Sequence, residues 1–187
     1  SGRRDYRQGV SGADINVQEA WELSRGNERV VVAVFDTGID PNHRDLVSNL
    51  WTNKNEIPGN GVDDDRNGYI DDLQGWDYCA NDGSISDRNG HGTHVSGTIA
   101  ATGGNGIGIV GVAPNVSIMT LKILAGDFFE GLFCQANDLE IARAIRYAAD
   151  NGADVMNHSW GCAYPGTDNC SESRTLNRAF RYAEERD

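Results

Sequence analysis

Val30-Val31-Val32-Ala33-Val34-Phe35-Asp36-Thr37-Gly38 is a continuous, largely β-branched run that ends abruptly in a carboxylate and a turn. An apolar run with no polar alternation is the pattern of a strand covered on both faces, as in a parallel sheet. Asp36 falls at the C-terminal end of that strand, where open parallel sheets bind ligands. A turn or helix-capping aspartate looks the same in sequence. The matching partner is Asn89-Gly90-His91-Gly92-Thr93-His94-Val95-Ser96-Gly97-Thr98-Ile99-Ala100-Ala101. Ser96, Gly97, Ala100 and Ala101 recur at helical spacing, so one face is nearly bare and fits flat on a sheet. Glycines on both sides of His91 remove bulk beside the imidazole and free the backbone to turn. Two readings follow: a general base at a helix start facing a cleft, or a tight turn whose histidine is merely hydrogen-bonded.

Outward from these stretches the chain alternates. Residues 17–25 have helical spacing through Ala20, Trp21 and Leu23, closed by Gly26-Asn27. A short strand is expected at 76–79, a second strand at 117–123, and a loop carrying Phe128, Phe129 and Phe133 at 125–136. Residues 137–151 form an amphipathic helix, with Asn137 and Glu140 as a capping box and Gly152 as its C-terminal cap. A third strand at 153–157 delivers His158-Ser159-Trp160-Gly161, and a last helix covers 173–185. The succession β-α-β-α-β-α defines an α/β class with a mostly parallel sheet. The chain stops on a helix, and such a helix normally returns to another strand, so the expectation is a chain cut short.

At 187 residues the length suits one domain with a full core. The 28 acidic and 16 basic groups give a net charge of −12, which argues against a nucleic-acid partner. No apolar run is long enough to span a membrane, and Arg3, Arg4 and Arg7 are not followed by a signal-peptide core. Asp63, Asp64, Asp65, Asp71 and Asp72 crowd within ten residues, as a solvated loop or as ligands of a bound cation. Oxygen-bearing side chains at positions 1, 3 and 5 and glycine at 6 match the first half of an EF-hand loop, but position 12 is Gln74 where that loop requires Glu. Cys79, Cys134, Cys162 and Cys170 lack CxxC spacing, which disfavours zinc. A disulfide between Cys162 and Cys170 would close a turn-rich loop and leave Cys79 with Cys134, yet all three connectivities stay open. Disulfides would place the protein in an oxidising compartment, secreted or extracytoplasmic.

Four segments then occur in order: Val-Phe-Asp-Thr-Gly-Ile-Asp at 34–40, Asn-Gly-His-Gly-Thr-His-Val-Ser-Gly-Thr-Ile-Ala at 89–100, Gly-Val-Ala-Pro at 111–114 and Asn-His-Ser-Trp-Gly at 157–161. Together they resemble the subtilisin-like serine proteases, the subtilases, from residue 15 onward. The resemblance implies a three-layer α/β/α fold and peptide-bond hydrolysis through an Asp/His/Ser triad, with Asp36 as the triad carboxylate and His91 as the base. It makes His94 a structural helix residue. It implies that Ser159, Trp160 and Gly161 bind substrate and that the stretch after Leu124 lines the other side of the cleft. A polypeptide substrate would lie between them by strand addition. The family's nucleophile sits in a Gly-Thr-Ser-Met-Ala type motif, which is absent here. Residues 1–187 are therefore expected to be a partial catalytic domain, truncated before its C-terminal strands and helices and inactive alone. Its partners would be the remaining C-terminal part and a propeptide inhibitor; residues 1–14 would be an extended arm. The alternative is a non-catalytic calcium-binding scaffold with a degenerate protease fold. A metal hydrolase built on His91-x-x-His94 lacks the glutamate of His-Glu-x-x-His.

Several subtilases carry an insertion similar to residues 51–72 that binds calcium. That likeness implies Asp63, Asp65, Asn67, Tyr69 by its carbonyl, Asp72 and Glu56 as Ca2+ ligands. A second calcium loop after the histidine helix would use Asp45 and Asn105, with carbonyls from Ile107 and Ile109.

Overall fold

The structure, a computed structural model, describes residues 12, 14–127, 132–161 and 173–186. The proposed arm at 1–14 and both Cys162 and Cys170 lie wholly or almost wholly outside these residues. The elements in chain order are α1 (Val17–Leu23), β1 (Val31–Asp36), a 3-10 turn (Val47–Asn49), β2 (Gly75–Asp77), α2 (His91–Ala100), β3 (Ser117–Lys122), β4 (Leu124–Asp127), β5 (Leu132–Gln135), α3 (Asp138–Asp150), β6 (Val155–His158) and α4 (Arg174–Glu184).

β1 is the middle of the molecule. The main sheet runs β2-β3-β1-β6, and every pair in it is parallel. The side-chain period of two divides β1 between two cores. Val31, Ala33 and Phe35 join Met119, Leu121, Trp76 and the apolar stripe Ile141, Ala144, Ile145 and Ala148 of α3, with Ala179 of α4. Val32 and Val34 join Ile118, Ile39 and Leu46, against Val95, Ile99 and Ala100 of α2. Helices thus cover both faces, giving three layers, and this is why β1 needs no polar alternation. Full burial of such a side chain stabilises by roughly 1.5–3 kcal/mol. From β1 the chain first builds β2 and β3 on one side and later crosses to β6 on the other, so the sheet has its topological switch point beside Asp36.

The bare face of α2 has its reason here. Ser96 and Ala100 are buried and let the helix lie close on β1 and β3. The capping box of α3 is complete: Asn137 accepts from the Leu139 and Glu140 N–H groups, while Glu140 accepts from the Asn137 N–H. Asn137→Ala removes both acceptor contacts and should cost about 1 kcal/mol. Thermal unfolding should then fall by roughly 2–4 °C.

The structure corrects the sequence reading in three places. α1 ends at Leu23, two residues early, because the backbone turns extended at Ser24; the Arg25 guanidinium lies 4.7 Å over the Trp21 ring. The third strand starts later, at Val155, because the Ala153 N–H still bonds to the Ala148 carbonyl at the end of α3, and Asp154 makes the first contact with β1 through the Val31 carbonyl. The expected loop after Leu124 contains an antiparallel ribbon, β4 with β5, in register Leu124↔Gln135. Its second strand is tied to the exit of β2 by a Cys79–Cys134 disulfide, selecting that pair among those the sequence left open. Single-sequence periodicity missed the ribbon because strands this short carry almost no alternation signal.

Candidate active site

Asp36 closes β1 with its side chain 1% exposed, and His91 opens α2 with its side chain 51% exposed. Their facing atoms, Asp36 Oδ1 and His91 Nδ1, lie 2.7 Å apart. The same Oδ1 accepts from the Thr37 N–H at 2.7 Å. A carboxylate only accepts, so Nδ1 carries the proton and Nε2 keeps its lone pair. The half-exposed ring can then take a proton at Nε2 while the buried carboxylate steadies the resulting imidazolium. Asp36 Oδ2 is buried with no hydrogen-bond partner among the described residues.

Two glycines make this approach possible. Gly90 occupies the helix N-cap at φ 90°, a left-handed conformation that turns the chain into α2. Gly92 lies so close to the end of β1 that a Cβ there would overlap the Gly38 carbonyl oxygen and press on Asp36. Gly92→Ala must push the first turn of α2 away from β1. The expected cost is about 1–3 kcal/mol of overpacking, read as lost thermal stability; an unchanged melting temperature would show that the fit is looser than drawn.

Ser159, Trp160 and Gly161 follow directly on β6, whose last pairing is His158 with Phe35, one residue before Asp36. Ser159 and Gly161 are exposed and Trp160 half-buried. The Trp160 indole N–H donates to His158 Nδ1 at 3.1 Å, and Asn157 Nδ2 donates to Ser159 Oγ at 2.9 Å. His158 stacks on Phe35 with centroids 4.2 Å apart, and burial pushes it down to about 4, so it is neutral at physiological pH. On the other flank, Asn89 Nδ2 donates to the Gly126 carbonyl of β4, joining the ribbon to the histidine turn.

The acidic insertion folds around buried carboxylates. Glu56, Asp65 and Asp72 place ligand oxygens within 4.8 Å of one another, the one such group of three or more among the described residues. Glu56 accepts from the Asp64, Asp65 and Asp71 N–H groups. Asn53 and Asn67 each donate to both Asp65 and Asp72. Asp72 is fully buried. Burial raises its carboxyl above the usual range; hydrogen bonds from Tyr147, Asn67 and Asn53 oppose this, and the Asp65 charge adds to it. Asp63 is not in the group: it turns back to accept from the Asn67 and Gly68 N–H groups. The Tyr69 ring packs edge-on against Trp76 and Tyr147, and its hydroxyl accepts from Tyr78.

At the other suggested loop, buried Asp45 accepts from Asn105 Nδ2 at 2.6 Å and from the Ile109 N–H at 3.1 Å, while Asn105 accepts from the Ile107 N–H. The four residues do meet, around a single carboxylate. Ile107 and Ile109 meet the side chains through N–H groups, where the sequence reading had their carbonyls.

Sequence reasoning passed over Asp87, Tyr147 and Asn53. Asp87 had a readable signal, since Asp-Arg-Asn-Gly is turn chemistry immediately before the histidine. Tyr147 had none: its hydroxyl meets Asp72 from 75 residues away.

The family model described as Subtilase family matches residues 27–187, and the chain belongs to that family. It is 37% identical over 167 residues to subtilisin-like protease 1 of Plasmodium vivax, covering 83% of this chain and 26% of that protein. It is 37% identical over 168 residues to fervidolysin of Fervidobacterium pennivorans, covering 90% of this chain and 20% of that protein. The crystal structure of fervidolysin, described as a keratinolytic enzyme related to subtilisin, superposes with a TM-score of 0.62 at 33% identity, covering 90% of this chain and 21% of that one. The chain thus spans about a fifth to a quarter of the length of these relatives.

Proposed function

We propose that this chain supplies the acid and base of a subtilisin-type serine endopeptidase, with the nucleophilic serine contributed by sequence outside the 187 residues. The observation that carries this reading is the 2.7 Å contact between buried Asp36 and half-exposed His91 at the switch point of the sheet. His91 Nε2 takes the proton as serine Oγ bonds to the scissile carbonyl carbon. The same proton then passes to the departing amine as the C–N bond breaks, leaving an acyl-enzyme. Water then bonds to the acyl carbon as His91 takes its proton, and that proton passes to serine Oγ as the ester bond breaks and the acid leaves. Asp36 holds the ring in the Nδ1–H tautomer throughout.

The polypeptide substrate lies extended between β4 and Ser159-Trp160-Gly161, pairing its backbone with both edges. A propeptide inhibitor would occupy the same cleft. Calcium fits the insertion: two buried carboxylates and a partly buried one, within reach of one another, repel unless a cation joins them. Glu56, Asp65 and Asp72 would hold it, with the Asn67 amide oxygen and the Tyr69 carbonyl as neutral donors, and Asp63 nearby. Asp45, Asn105, Ile107 and Ile109 are a weaker second set. Bound calcium neutralises charge and steadies the insertion; it takes no part in the chemistry. The Cys79–Cys134 disulfide favours a secreted or extracytoplasmic location, and among the described residues no helix is long and apolar enough to cross a membrane.

The test is to combine this chain with the downstream part of its catalytic domain and probe with a fluorophosphonate. Labelling that disappears in His91→Ala supports the protease. A folded, calcium-loaded complex that never labels would leave a calcium-binding scaffold.

A further inference from the structure

Asp87 sits four residues before His91, and its carboxylate reaches beyond its own turn to two threonines. Its Oδ1 accepts from the Thr37 hydroxyl at 2.9 Å, the Asn89 N–H at 3.0 Å and the Gly90 N–H at 2.9 Å. Its Oδ2 accepts from the Thr93 N–H at 2.9 Å and the Thr93 hydroxyl at 2.7 Å. Each of the two threonines passes the connection on. Thr37 Oγ1 accepts from the Gly92 N–H at 2.9 Å, and Thr93 Oγ1 accepts from the Asp40 N–H at 2.9 Å. One carboxylate therefore joins both sides of the Asp36–His91 pair: the loop leaving β1 and the first turn of α2. The segment just before it is anchored as well, since Lys122 Nζ donates to the Ser86 carbonyl at 3.0 Å and pairs with Asp77 at 2.8 Å.

We infer that Asp87 is a positioning residue for the Asp36–His91 pair, fixing the imidazole against the carboxylate through Thr37 and Thr93. The physical reason is directional. The Asp36–His91 bond spans two elements whose other polar contacts named above run through Thr37 and Thr93, and an imidazole on a glycine-flanked turn has freedom to swing. Two threonine hydroxyls that each donate to Asp87 and accept from the opposite element lock both distance and angle. A charged acceptor suits this better than a neutral one, because hydrogen bonds to an ionised group are the stronger kind. Burial alone would raise the Asp87 carboxyl, yet the bonds from Thr93, Gly90 and Thr37 outweigh it and hold the group below its ordinary 3.8, in the charged form.

The kinetic consequence rests on the proposed peptidase activity; the geometric one does not. The experiment therefore has two arms. In the complete catalytic domain, the downfield proton resonance of His91 Nδ1–H reports its bond to Asp36. That line should be present in the wild type and in Thr37→Ser, which keeps the hydroxyl, and be lost or shifted upfield in Asp87→Asn and Thr37→Val at temperatures where they remain folded by circular dichroism. If Asp87→Asn does not fold, Thr37→Val decides alone, since it leaves every bond from Gly90 and Thr93 to Asp87 in place. An unaltered line in a folded Asp87→Asn or Thr37→Val chain overturns the inference. In the serine-bearing catalytic domain, Asp87→Asn should lower kcat about 100-fold with KM within about twofold, as for a catalytic group misplaced by an ångström. A purely structural role would lower the melting temperature and leave kcat of the folded fraction unchanged, which also overturns it. A wild-type domain that shows the line but never labels with fluorophosphonate contradicts the peptidase reading and leaves the positioning role standing.

Discussion

Replacing Asp36 by Asn should lower kcat of the serine-bearing catalytic domain by about 10⁴-fold and leave KM nearly unchanged. The size follows from the tautomer. A carboxylate can only accept, so it selects the Nδ1–H imidazole and leaves Nε2 free to take a proton. An asparagine amide can also donate, and with its N–H₂ toward His91 it stabilises the opposite tautomer, in which Nε2 already holds its proton and cannot act as a base. It also withdraws the negative charge that steadies the imidazolium. At 1.36 kcal/mol per factor of ten, the loss is about 5.5 kcal/mol of transition-state stabilisation. KM should move little because Asp36 is buried behind the ring and reaches the substrate only through His91. The measurement is steady-state hydrolysis of a peptide substrate with active sites titrated. A loss smaller than about tenfold would remove Asp36 from the mechanism.

Removing calcium should produce the second large effect. Glu56, Asp65 and Asp72 lie within 4.8 Å of one another and Asp72 is fully buried, so without a cation their repulsion is opposed only by hydrogen bonds from Asn53, Asn67, Tyr147 and backbone N–H groups. At a free ion concentration 100 times the dissociation constant, binding to the folded state stabilises by about 2.7 kcal/mol. For a domain of this size that is roughly 5–10 °C of melting temperature, which EGTA at pH 7 should remove and excess calcium should restore. Glu56→Gln, at the residue whose oxygens also hold three backbone N–H groups, should start lower and respond less to the chelator. Identical melting curves with and without EGTA would sink the calcium assignment at both loops. The Asn137→Ala and Gly92→Ala variants set the scale for these shifts, because each perturbs one helix terminus and neither touches the acidic loop.

The layered architecture was legible because each signal needed only local information. Val31 to Phe35 read as a doubly covered strand since no polar residue interrupts it, and the small residues of α2 read as a close-packing face since their spacing is helical. Asn137, Glu140 and Gly152 marked both ends of α3 for the same reason. The β4–β5 ribbon was illegible: strands of four residues offer too few side chains for a period, and its placement depends on a covalent bond to Cys79. In the acidic insertion, the density of carboxylates pointed to a cluster, but the grouping did not follow the EF-hand count. Asp63 spends both oxygens on backbone N–H groups, while Glu56, seven residues upstream, reaches in because the loop doubles back on itself.

By itself the sequence determined the α/β class, the order of the main elements and the identity of Asp36 and His91 as the residues to watch, because hydrophobic period, turn chemistry and motif order are written along the chain. Only the tertiary structure decided that those two side chains meet at 2.7 Å, that Cys79 pairs with Cys134, which three carboxylates converge, and that Asp87 ties the loop after β1 to the histidine turn. Each of these is a distance between residues far apart in sequence or on separate elements. Such distances are set by how α2 and the loops pack on the sheet, and no local pattern encodes them.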